Sequence, residues 1–201
     1  YLHEGAVIRN ARVQLAVLSQ GVGELSISSA PGEQSQKRSA AVFLTRAAEA
    51  AAVSGGDIEQ VISLYRSAPS RCPDQIPTLR GLLHYALLHQ RYAVALDCAE
   101  QLAAQLYDIE ERYLHYMLAG VLAQNIVPDA GRARRALRSG LELLPDREEA
   151  FERLRGSYAT TSAKNADDAR TLAALLTERL SRSDLSTTQV VGYRVELGQL
   201  Y

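Results

Sequence analysis

The sequence predicts an all-α fold built as a stack of antiparallel helix pairs, about ten helices in all. Three observations predict it. The chain is 47% apolar but rich in alanine and leucine, with no tryptophan and two phenylalanines, a mix that favours helix and close helix approach. Apolar residues recur at i, i+3, i+4 and i+7, as in Leu79, Leu82, Leu83 and Ala86. The pattern itself then recurs: Val61 to Ala95 is 34 positions, and so is Tyr65 to Ala99.

Residues 2–19 are dense in apolar positions and read as a first helix, ended by Gly21-Val-Gly23. Residues 21–35 read as a polar loop, so residues 1–35 stand apart from a repeat region over 36–201. Its pairs are expected over about 39–75, 76–108, 109–145 and 146–183, with a partial repeat over 186–201. Ser39 to Val53 is one helix, broken by Ser54-Gly55-Gly56, and Asp57 is placed to cap the next. That next helix carries Val61, Tyr65 and Ala68 and reaches Pro73.

The second pair starts after Pro77, turns at His89-Gln-Arg91, and continues with Tyr92, Ala95, Leu96, Ala99 and Leu102 on one face. The third runs from Ile109 to Gln124, with Pro128 and Asp129 opening its second helix. Ala95 to Ala133 is 38 positions, about one helical turn more than the other spacing. Phe151, Leu154 and Tyr158 mark the next helix, Asp167 to Ser181 its partner, and a last helix begins near Ser186.

The run Ala133-x3-Leu137-x2-Gly140-Leu141-x-Leu143-x-Pro145, followed by Phe151-x2-Leu154-x3-Tyr158, resembles the tetratricopeptide repeat (TPR). So does Tyr116-x2-Ala119-Gly120-x2-Ala123. The resemblance covers about residues 40–201 and is of the bacterial multi-repeat type. Arg155 takes the family's glycine position, and Arg194 stands where a large aromatic is expected. The resemblance implies a right-handed solenoid that binds other chains and does no chemistry. It also implies that first helices line a concave groove. By register, the groove positions are Arg46, Arg80, His84, Leu87, Met117, Val121, Gln124, Glu152 and Gly156. The paired Lys/Arg and Asn of the family's peptide-carboxylate clamp are missing, so an amphipathic helix or an extended segment is the expected partner.

Formal net charge is −1, from 22 basic and 23 acidic residues, so no global field draws the chain to nucleic acid or anionic lipid. Arg132, Arg134, Arg135 and Arg138 cluster, but Ala133, Leu137 and Leu141 define the buried face, so Arg134, Arg135 and Arg138 are expected to point outward. Glu142, Asp146, Glu148 and Glu149 follow and offset their field.

No histidine among His3, His84, His89 and His115 shows metal-ligand spacing; Glu111 and His115 read as a hydrogen-bonded surface pair. Gly21-x-Gly23 lacks the remainder of a nucleotide fingerprint. Cys72 and Cys98 form no motif, and Cys98, on an Ala/Leu-rich helix, reads as inert core. No catalytic residue, metal or cofactor is therefore expected.

No apolar run approaches the roughly 20 residues of a membrane helix, and residues 1–20 lack signal-peptide features. The expectation is a non-enzymatic scaffold, a segment of a larger protein, binding another protein or peptide. Alternatives are a regulatory or targeting region of a larger enzyme, a nucleic-acid-binding helical repeat, or a spacer that self-associates through its C-terminal face.

Overall fold

The computed structural model describes residues 33–67, 75–182 and 185–200, with side chains from Ser39 and Ala41 onward. All regular structure among them is α-helical: α1 (Glu33–Val53), α2 (Ile58–Arg66), α3 (Gln75–Leu88), α4 (Tyr92–Gln105), α5 (Ile109–Asn125), α6 (Ala130–Leu143), α7 (Glu148–Ser162), α8 (Ala166–Leu180) and α9 (Thr187–Gln199). The expected helix over 2–19, His3, most of the 21–35 loop, and the segment with Ala68, Cys72 and Pro73 lie outside the described residues.

Local chemistry sets the helix ends. Asp57, Asp108 and Asp129 each accept a hydrogen bond from the backbone N–H three residues on, at 3.1, 2.8 and 2.9 Å. Asn165 accepts from the N–H groups of Asp167 and Asp168, and Ser186 with Gln189 forms a capping box.

At the end of α1, Gly55 takes φ 71°, its N–H bonds Ala52 O, and the Gly56 N–H reaches back to Ala51 O at 2.8 Å. This left-handed cap satisfies carbonyls that the helix leaves open, in a conformation glycine adopts freely.

Two boundaries differ from the sequence reading. Helix α1 is present from Glu33, six residues before Ser39; Glu33 to Arg38 contains no glycine or proline, so nothing in that stretch breaks a helix. Helix α3 starts at Gln75 and takes Pro77 into its first turn, where a missing N–H costs no intrahelical bond.

The contacts group into two compact units, Tyr1–His115 and Tyr116–Tyr201. In the first, α1 packs on α2, α2 on α3, α3 on α4, and α1 also on α3. Val61, Ala86, Ala95, Leu96, Ala99 and Leu102 are all fully buried there. In the second, α6 packs on α7, α7 on α8 and α8 on α9, around Leu137, Phe151, Leu154, Leu172 and Leu176.

Alanines at the contacts let the helix axes approach, and the leucines fill the space between them. Within each unit the chain is thus an all-α helical repeat whose helices pack in adjacent pairs. Among the described residues no helix is long and apolar enough to cross a membrane.

Candidate functional site

A first helix in such a stack is gripped by neighbours on two sides, so only a narrow stripe of it stays exposed. On α1 that stripe is Val42, Arg46, Glu49 and Val53, at spacings of four, three and four. On α3 it is Pro77, Arg80, His84 and Leu88. Both belong to the first unit, and their helices meet where the Thr45 and Thr78 hydroxyls lie 2.5 Å apart.

Arg46 and His84 make no hydrogen bond or ion pair among the described residues. Arg80 donates from Nη2 to Glu111 Oε2 on α5 at 2.7 Å. Both side chains are about half exposed, so the pair contributes only about 0–1 kcal/mol and can be exchanged for another anion. Glu111 is therefore not the side-chain partner of His115 that the spacing suggested. The His115 ring instead bonds the Glu111 carbonyl, from Nδ1 at 2.8 Å, because a ring four residues on lies over that turn.

Exposed apolar residues accompany the cations: Val53 is 60% and Leu88 68% exposed, and Val42 also faces solvent. Sequence reasoning missed these three. The signal was available, since they continue the spacing of Arg46 and His84 along the same faces.

The other predicted groove residues are placed differently. Leu87 and Val121 are half-buried. Met117 is buried, because Tyr113, Met117 and Gly120 form a second packed face of α5. Gln124 is half-buried and donates to Arg153 O at 3.4 Å. Gly156 is exposed, with open space where a Cβ would sit.

Glu152 is occupied within the second unit. Its Oε2 accepts two bonds from Arg155, its Oε1 accepts from the Tyr193 hydroxyl at 2.8 Å, and Arg155 bonds Glu196 at 2.7 Å. The Arg155 guanidinium loses solvent on burial, but these two carboxylates hold it cationic beyond its ordinary range. Burial first, and the Glu152 bond second, push the Tyr193 phenol upward. Arg155 thus ties α7 to α9, and the packing aromatic of α9 is Tyr193, one residue before Arg194. The Tyr193 ring meets Phe151 edge-on at 5.3 Å.

The arginine cluster also corrects an expectation. Arg135 and Arg138 are exposed, but Arg134 turns inward. It donates to Ser157 Oγ, Ser157 O, Thr161 Oγ1 and Asp168, and lies 4.2 Å over the Tyr158 ring.

Cys98 is 2% exposed, and burial, then the charge of Asp97, pushes its thiol up to about 12. It stays protonated near neutral pH and is a poor nucleophile. The His89 ring lies against Tyr85, with centroids 4.3 Å apart and planes tilted by 44°. Among the described residues no three His, Cys, Asp or Glu side chains gather as metal ligands.

No protein-family model matches the chain, and no curated protein matches it. Among solved structures, the crystal structure of BtubC (BKLC) from P. vanneervenii aligns over 95% of this chain and 83% of that one. It is 17% identical, with a TM-score of 0.40.

Proposed function

We propose that this protein is a non-enzymatic, TPR-like interaction scaffold whose first unit binds a segment of a partner protein along α1 and α3. One observation carries the reading. The exposed faces of α1 and α3 interleave apolar Val42, Val53 and Leu88 with cationic Arg46 and Arg80 and with His84, and no described residue covers them. An amphipathic or extended segment bearing acidic and aliphatic side chains suits that surface, because helices already held by packing lose no further freedom on binding.

The test is affinity capture from native extract with the parent chain and an Arg80→Glu/His84→Glu variant. A partner held by the parent and lost by the variant supports the reading, provided it can be crosslinked to α1 or α3. A partner retained by the variant overturns it.

A second reading rests on α9, where Val191 and Val195 are each 56% exposed on one face. Self-association there would appear as concentration-dependent mass in sedimentation, abolished by Val191→Lys/Val195→Lys.

A further inference from the structure

In the second unit, α6 and α8 flank a cleft of about 660 Å³, with Phe151 and Leu154 of α7 lining it between them. That volume lies in the ordinary range for a bound ligand or a few peptide side chains. Its lining is apolar with a ring of charge: Arg138, Arg170, Arg179 and Arg182 against Glu142 and Glu178.

Arg179 is the informative member. It is 5% exposed, and its Nη1 donates to Pro145 O at a long 3.3 Å. The guanidinium sits 5.3 Å from the Phe151 ring centre. Its Nε has no hydrogen-bond partner, and no carboxylate among the described residues pairs with it.

A guanidinium taken out of water without a counter-ion is unfavourable, and buried arginines normally hold a carboxylate through two parallel bonds. The other cations around it are arranged otherwise. Arg170 pairs with Asp167 and Arg182 with Asp146, while Arg138 has no partner among the described residues. The cleft therefore presents at its base a buried guanidinium, that of Arg179, which no described carboxylate pairs with, together with Glu142 and Glu178 in its lining and apolar walls from Leu141, Leu154 and Leu175.

We propose that this cleft docks a partner-protein segment in which an Asp or Glu is flanked by leucine or phenylalanine. The carboxylate pairs with Arg179, and the apolar neighbour lies against Leu141, Leu154 and Leu175. This surface lies on the second helices and does not depend on the stripes of α1 and α3.

The probe is the peptide Gly-Leu-Glu-Phe-Gly-amide with fluorescein on its N-terminal amine, followed by anisotropy on the full chain. It binds the parent; its Glu→Gln counterpart binds at least tenfold more weakly. Arg179→Met weakens binding by a similar factor without lowering the thermal midpoint, since methionine replaces an unpaired charge in an apolar setting. Glu142→Gln/Glu178→Gln tightens binding severalfold, and Arg80→Glu/His84→Glu leaves it unchanged.

If Arg179→Met fails to fold, the exposed pair Arg138→Gln/Arg170→Gln decides, and must weaken binding severalfold. No peptide binding, equal binding of the Gln peptide, or sodium octanoate binding where the peptide does not, would each overturn the proposal.

Discussion

Arg134 on α6 donates to Asp168 on α8 at 3.0 Å, across α7 and 34 residues along the chain. The two side chains are 18% and 13% exposed, and the same guanidinium also holds Ser157 and Thr161 of the intervening helix. One planar fork thus binds three successive helices, which an ammonium on a flexible stem cannot do. Arg134→Lys keeps the charge but loses the fork and the stack on Tyr158. Its thermal midpoint should fall by several degrees, whereas Arg135→Ser on the exposed face should leave it unchanged.

The same pair predicts a pH dependence. The hydrogen bond from the Thr161 hydroxyl, 2.5 Å away, and the charge of Arg134 hold the Asp168 carboxyl below its usual range, against a desolvation that would raise it. A carboxyl depressed in the folded state stabilises fully above its unfolded pKa, about 4, and loses that contribution as pH falls through the folded value. Thermal midpoints of the parent should therefore drop steeply below about pH 4. Asp168→Asn should be less stable at neutral pH and flatter in the acid range; parallel profiles would refute the linkage.

Gly120 and Gly156 should respond to alanine with opposite signs. A Cβ at Gly120 would lie 2.7 Å from Leu137 Cδ2, in a side chain that is fully buried. Gly120→Ala should cost about 1–3 kcal/mol by overpacking. Gly156, in the exposed interior of α7, has nothing within 4 Å, so Gly156→Ala should stabilise by about 0.5–1 kcal/mol through helix propensity. Urea denaturation of both variants tests the contrast.

Gln90 ends α3 at φ 57°, with the Arg91 N–H bonded to Ala86 O at 2.7 Å and its own N–H to Leu87 O. This is the cap that Gly55 makes at the end of α1, occupied here by a residue with a Cβ. Gln90→Gly should stabilise by about 0.5–1 kcal/mol, because the steric cost of the left-handed region exceeds the entropy lost with glycine. An unchanged denaturation midpoint would contradict that account.

Cys98 should react only through opening. In a Cys72→Ser background, labelling by a thiol reagent at pH 8 should be about a hundredfold or more slower than in denaturant, since the thiol is both buried and protonated. Rapid labelling in the folded state would mean that α4 opens locally.

The helices and most of their ends follow from local sequence. Asp57, Asp129 and Ser186 cap where their spacing placed them, Gly55 stops α1, and Ala95, Ala99, Leu137 and Phe151 are buried as their periodicity required. Those features arise within four residues along the chain, so the local pattern carries them.

Which polar and long side chains turn inward depends instead on how the helices pack. Met117 is buried because α5 has two packed faces, which one periodicity does not distinguish. Arg134 finds Asp168, 34 positions on, and Arg179 finds Phe151 and Pro145, 28 and 34 positions back, only when the neighbouring helix or turn lies alongside. An arginine's apolar stem lets its charge reach either solvent or a neighbouring helix, and the position of that neighbour makes the choice.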